Sequence, residues 1–316
     1  MYIRLLQIRE FADVGRYLDP ISRAERTLGR FLELRGRSFG SVIAPSVLEK
    51  SAEASVELAG LAAGTPEADA LATGVADTLR VVMGHGGDLP FTESQIKYVH
   101  SLLLRHDAAA TSIRRKYRVS APPPTDLALD AAPQAASVGD EMAKLVAWTR
   151  EQLEARELHP LLVIAIFLYR FLVIRPFADA NGRLARVLAV FLLDISGYSF
   201  VQNVSLDGLV LERRAECAAA LAASGGDRAD ASAWVQFFLE LTAELGRRAD
   251  RLCDGRDPRL DDRGDPHPRR AVRCGAGARR AEGPSGAAPK DGGLVAGFGA
   301  PRPRSGRQAG AMSRRR

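Results

Sequence analysis

Apolar residues along positions 1–253 recur every three to four places, with polar residues between them. That period is the signature of amphipathic helices, and it predicts helices over about 20–36, 41–64, 67–83, 92–107, 139–156, 159–174, 182–196, 209–223 and 231–252. One stretch breaks the pattern by being apolar all round. Leu161 to Ile174 is a 14-residue run interrupted only by Arg170, which predicts a helix buried at the centre of the fold. The run is too short to span a bilayer, and Pro160 suits its first turn. The next helix carries a single stripe, Leu184, Val187, Leu188, Phe191, Leu192 and Ile195, with Gly197 placed to end it. No internal repeat is present, and the Pro- and Ala-rich segment 118–137 is the one long irregular stretch before residue 253. The expected class is all-α, a helical bundle around the 159–174 helix.

Composition divides the chain. Of its 44 Lys and Arg residues, 15 fall in 254–316 against 7 Asp and Glu, leaving 29 against 31 for the rest. The +6 net charge is therefore a property of the last 63 residues, which hold 19 Gly plus Pro and one aromatic, Phe298. Such a segment cannot bury enough apolar surface to offset its ordering entropy, so disorder is expected there. Its arginines lack the interleaved aromatics that stacking on bases requires, so nucleic acid is not an expected partner except through phosphate contacts of this tail. The organisation read from the chain is 1–90 as an N-terminal helical segment, 91–253 as the core and 254–316 as the basic tail.

Cys217, Cys253 and Cys274 form no CxxC pair, and His85, His100, His106, His159 and His267 are scattered, which argues against a disulfide framework or structural zinc. The first residues carry charges every few positions and no apolar signal core. A soluble cytoplasmic protein without membrane contact is expected, and homo-oligomerisation is left open.

The chemistry concentrates in "IRPFADANGRLARVL", residues 174–188. Arg183 and Arg186 lie three apart on one face at a helix start, where cations oppose the helix dipole by some tenths of a kcal/mol each. Asn181 is placed to cap that helix, and Gly182 leaves its first amides uncovered. Bare amides, a dipole and two guanidiniums describe an anion site suited to phosphate. Asp179, two residues before the cap, is placed to hold a Mg²⁺ bridging such phosphates. From NGRxxR alone, arginines paired with surface carboxylates fit the pattern equally well. There is no GxxxxGK[ST], hence no P-loop.

"RPFADANGRLAR" resembles the signature of the Fic (Fido) family, His-Pro-Phe-x-Asp/Glu-Gly/Ala-Asn-Gly-Arg-x-x-Arg, at every informative position but the first. "LHPLLVIAIFLYRFLVI", "FTESQIKYVHSLLL", "RKYRVS", "ASAWVQFFLELTAEL" and "ERTLGRFLELRGR" are similar to the surrounding family segments, so the likeness spans roughly 20–250. The resemblance implies the Fic fold and transfer of AMP from ATP to a protein Ser, Thr or Tyr hydroxyl. It also implies that Asp179 binds Mg²⁺, that Asn181 and Gly182 hold phosphates, that Arg183 and Arg186 grip the far phosphates and that Phe177 plugs the core.

The departure is at the first position. Arg175 stands where the family has its catalytic histidine, the base that takes the target hydroxyl's proton. A guanidinium stays charged and cannot accept that proton. Losing a general base costs about 10²–10⁴ in rate. His159 begins the preceding helix, roughly 22 Å of helix rise away, and is expected to cap or pack. The family's inhibitory Ser-x-x-x-Glu-Gly aligns with Ser55–Gly60, which puts Ala59 at the glutamate position. "ECAAAL" (216–221) stands where paired tyrosines are common, and 119–137 lacks the alternation of the family's flap hairpin. The main expectation is a Fic-like scaffold that binds Mg-ATP or another nucleotide, with AMP transfer weakened or lost, a pseudoenzyme. The alternatives are an active AMP-transferase with another base or none, and a non-enzymatic protein that binds through its tail.

Overall fold

In a computed structural model of the chain, residues 15–35, 44–84, 90–122, 132–224 and 230–253 are described. The expected disorder of 254–316 concerns residues outside that set, as do residues 123–131 of the segment aligned with the flap. All regular structure among the described residues is helical, without a β-strand. The helices are α1 (Gly15–Arg35), α2 (Pro45–Leu58), α3 (Pro66–Gly84), α4 (Glu93–Leu103), α5 (Val138–Ala155), α6 (Pro160–Ile174), α7 (Asn181–Ile195), α8 (Leu206–Glu212), α9 (Arg214–Ala222) and α10 (Ser232–Cys253). None of them is long and apolar enough to cross a membrane.

Several boundaries differ from the periodicity, among them the start of α1, five residues early at Gly15. α2 stops at Leu58 because Gly60 turns left-handed (φ +70°), and the Leu61 amide donates to the Val56 carbonyl in a six-to-one closure. α4 ends at Leu103, four residues before its apolar pattern does. The 209–223 helix is two helices that meet at Arg213, and the first starts early because Ser205 Oγ accepts the Gly208 amide.

α6 is the axis of the molecule. Every residue from Leu161 to Ile174 is buried except Arg170. Each such Leu, Ile, Val or Phe contributes about 1.5–3 kcal/mol relative to exposure, so α6 cannot leave the core without unfolding the domain. It packs on α5, α7 and α10, and α1 runs along α10. The indole of Trp234 in α10 donates to the Ala165 carbonyl at 2.9 Å, fixing α10 against the middle of α6. Phe91, just ahead of α4, meets Phe167 edge-on at 5.1 Å. α3 and α4 approach most closely at Gly74, where an added Cβ would lie 2.2 Å from the Leu103 carbonyl oxygen. One hydrophobic core runs from Tyr17 in α1 to Ala249 in α10. Its position sets the site, because the turn leaving α6 emerges directly beside the start of α7.

Candidate functional site

The turn 175–180 is held from three sides. Arg175 caps α6 in the left-handed conformation (φ 45°, ψ 64°), its amide donating to the Phe171 carbonyl at 3.0 Å. The last carbonyls of α6 are taken up by Arg118, a buried residue 4 % exposed. Its Nε donates to the Arg175 carbonyl (2.8 Å), Nη2 to those of Ile174 (3.3 Å) and Pro133 (2.6 Å), and Nη1 to that of Ser120 (2.8 Å). A guanidinium at a helix C-terminus satisfies orphan carbonyls and complements the dipole at once. Burial, and then the neighbouring Arg175 charge, lower the pKa of Arg118.

Phe177 is fully buried between two rings, stacked on His100 at 3.9 Å and tilted against Tyr117 at 5.3 Å. His100 Nδ1 accepts the Arg115 amide (3.3 Å), which leaves Nε2 to carry the proton and donate to the Asp179 carbonyl (3.3 Å). Desolvation holds this imidazole neutral, its pKa lowered to about 4. The third clamp is Asn181. Its Oδ1 accepts the Phe177 amide (3.0 Å) and its Nδ2 donates to the Phe177 carbonyl (2.8 Å). The capping role expected of Asn181 is corrected here: it is the first residue of α7, the N-cap is Ala180 in the left-handed region (φ 62°), and no side chain caps the helix. Asn181's amide group is spent on closing the turn behind it.

α7 therefore begins with bare donors. No acidic residue lies in its first turn, and the first intrahelical bond is Leu184 N–H to the Ala180 carbonyl (2.8 Å). The amides of Asn181, Gly182 and Arg183 have no acceptor within the helix. Gly182 leaves open space there: an added Cβ would meet only Arg186 Nη1, at 3.7 Å. The protein's own packing does not require a glycine at this position.

Both motif arginines have carboxylate partners. Arg183 Nη2 lies 2.9 Å from Asp179 Oδ2 on the surface, with Asp179 54 % exposed. Arg186 Nε lies 2.5 Å from Asp207 Oδ1 in α8, and Asp207 is 2 % exposed. Ser55 of α2 completes this cluster, donating from Oγ to Asp207 Oδ1 (2.6 Å) and accepting from Arg186 Nη2 (3.1 Å). Nη1 is the edge of Arg186 left over, and it faces Gly182. Ala59 and Glu57 are exposed at the end of α2; the carboxylate on Arg186 is Asp207. The Arg175 guanidinium, by contrast, has no hydrogen-bond or ion-pair partner among the described residues, and its Nε is buried.

No described histidine offers a free nitrogen at this turn. His100 uses both. His106 pairs with Asp77 at 2.9 Å. His159 caps α6 at the opposite end, its Nδ1 accepting the Leu161 amide (3.3 Å) with Glu25 3.3 Å from Nε2, so the capping role expected of it is the one it has. Among the described residues no three His, Cys, Asp or Glu side chains converge as a metal cluster. A single exposed carboxylate beside an uncapped helix start is nevertheless the donor set Mg²⁺ uses when phosphates supply its other ligands.

Asp179, Asn181, Gly182 and Arg183, neighbours along the chain, lie together at the turn and the α7 start. Arg118, His100, Asp207 and Ser55 escaped reasoning from the sequence. Only Ser205-Leu206-Asp207 hinted at a helix start with an acid in its first turn.

Residues 90–193 match the Fic/DOC family. The Fic/DOC match covers α4, Arg118, α6, the turn and most of α7, and ends before α8. Solved structures with the same fold include a Fic family protein from Desulfovibrio desulfuricans G20, at 20 % identity and TM-score 0.59, covering 76 % of this chain and 75 % of that one. Fic-1 (residues 134–508) from C. elegans aligns at 16 % identity and TM-score 0.57, over 77 % and 74 % of the two chains. No curated protein matches the chain.

Proposed function

We propose that the α7 start binds the phosphates of a nucleotide, ATP by its charge and size, on a Fic-type AMP-transferase scaffold whose transfer to protein hydroxyls is weakened or lost. The observation that carries this reading is Arg175. It puts a guanidinium without a side-chain partner among the described residues where the family has a base, in the turn that leads into the uncapped start of α7. A permanently charged donor cannot take a proton from a target Ser, Thr or Tyr hydroxyl, and no described histidine replaces it. The uncapped dipole end and Arg186 Nη1, which faces Gly182, favour a polyanion there, and the Arg175 charge would add to that field.

The pair Arg183–Asp179 does not oppose this reading. Asp179 is 54 % exposed while Arg183 is 15 % exposed, so the half-buried guanidinium needs an anion beside it, and a phosphate would serve as that anion and free the Asp179 carboxylate. Asp179 would then hold Mg²⁺, which supplies charge neutralisation between phosphates. Asp207 and Ser55 would keep Arg186 extended with one edge toward Gly182.

The test uses purified protein, labelled ATP, Mg²⁺ and a mixed lysate as acceptor, with the wild type and Arg175→His side by side, and ATP affinity measured by calorimetry. Expected are ATP binding by both and label transfer by the histidine variant alone or far above the wild type. Transfer by the wild type at the histidine variant's rate would overturn the impairment, since phosphoryl-type chemistry can run on positioning alone. Absence of ATP binding by either protein would remove the nucleotide site.

A further inference from the structure

Five arginines border one cavity away from the motif. Arg23, Arg26 and Arg30 of α1 and Arg247 and Arg251 of α10, with Thr27 and Asp250, line a space of about 410 Å³. They converge because α1 and α10 run side by side: an added Cβ on Gly246 would stand 2.9 Å from Thr27 Cγ2. Positions 23, 26 and 30, and 247 and 251, recur at three to four residues, so each set occupies one helix face. Residues 1–253 carry 29 Lys and Arg against 31 Asp and Glu, so general basicity does not explain the cluster.

The chain neutralises the cluster only in part. Arg30 lies 3.4 Å from Asp250, Arg23 lies 3.1 Å from the exposed Asp19, and Arg247 pairs with Glu244. Arg26 and Arg251 are exposed and have no ion-pair partner among the described residues. Asp250 Oδ1 is a buried atom without a hydrogen-bond partner. In the lining itself, five guanidiniums face a single carboxylate.

We propose that this cavity is a second anion site, for the oligophosphate chain of a compact ligand. A chain of tetrahedral phosphates presents many oxygens and engages several arginine forks at once, more than a single carboxylate can. The three α1 arginines span seven residues, roughly 10 Å of helix rise, and the α10 pair roughly 6 Å. That is the reach of two or three linked phosphates. The volume falls within the usual 300–1,000 Å³ or so of small-molecule sites. The site is separate from the motif. Glu25, the α1 neighbour of these arginines, touches His159 at the start of α6, whereas the motif turn leaves the other end of that 15-residue helix, roughly 22 Å of rise away.

The deciding experiment is calorimetric titration of the full chain with inorganic triphosphate and, separately, with ATP. Wild type, Arg26→Ala/Arg251→Ala and Arg183→Ala are compared, and thermal melts confirm that each folds. The double variant changes exposed residues, so its fold is expected to be unaltered. Expected is at least a tenfold loss of triphosphate affinity at one site in the double variant, with that site intact in Arg183→Ala. Equal losses for triphosphate and ATP would assign the site to any phosphate chain; a stronger ATP site would assign it to a nucleotide. Triphosphate binding unchanged in the double variant, or absent from the wild type, overturns the proposal. Loss of binding only in Arg183→Ala would leave the motif as the sole anion site and equally overturn it.

Discussion

Arg175 and Asp207 have opposite situations. Arg175 is a charge with no described partner; Asp207 is a buried charge with two neighbours, Arg186 and Ser55, on one oxygen and none on the other. Replacing Asp207 with Ala strands Arg186 and is expected to destabilise the fold by about 3 kcal/mol, the low end for a broken buried pair, because Arg186 remains 16 % exposed. Denaturant titration measures this loss, and ATP calorimetry is expected to show weaker binding because Nη1 is no longer aimed at Gly182. A denaturation midpoint unchanged from wild type would mean that the cluster contributes nothing to stability. Arg175→Ala is expected to weaken ATP several-fold without moving the melting temperature, since the side chain has no partner to lose. Unchanged ATP affinity in that variant would remove Arg175 from the anion site.

At the scale of elements, two joints decide how the helices meet. α3 and α4 touch through Gly74, and a methyl there collides with the Leu103 carbonyl rather than with a flexible side-chain end. Gly74→Ala gains about 1 kcal/mol of helix propensity but forces the helices apart, which costs roughly 1–3 kcal/mol. A net fall in melting temperature is expected; a rise would show that the contact yields. The other joint is Arg118, whose fork ties the 118–120 strand of chain and Pro133 to the end of α6. Arg118→Lys keeps the charge and loses the fork, so at least about 2 kcal/mol of stability should go with it. A denaturation midpoint equal to wild type would show that the charge alone suffices. The spacing of apolar residues predicted that α6 would be buried and where α7 would start. It did not show that an arginine 57 residues upstream closes the turn between them, because a hydrogen bond to a carbonyl leaves no periodic trace.

For the molecule as a whole, pH exposes how α4 and the motif turn depend on each other. Folded His100 stays neutral down to about pH 4, while in the unfolded chain it takes a proton near its ordinary 6.5. Between those values the unfolded state binds more protons. The stability this group contributes is therefore fully present above pH 6.5 and is lost as pH falls toward 4, by roughly 3 kcal/mol in all. Melting wild type and His100→Gln across pH 4 to 7 should give a steeper acid loss for the wild type. Parallel curves would mean that His100 does not titrate with unfolding.

The amino-acid sequence by itself determined the helical class, the burial of 161–174 and the short motif, because periodicity and near-neighbour chemistry are local properties of a chain. It also placed a charged guanidinium, Arg175, at the first position of that motif, a fact of composition that no fold can undo. The tertiary structure alone decided that Asn181 binds backward to Phe177, that Asp207 and Ser55 hold Arg186, and that five arginines of α1 and α10 border one cavity. Those partners stand up to more than 200 residues apart, and bringing them together depends on how helices pack around α6, which no spacing rule along the chain encodes.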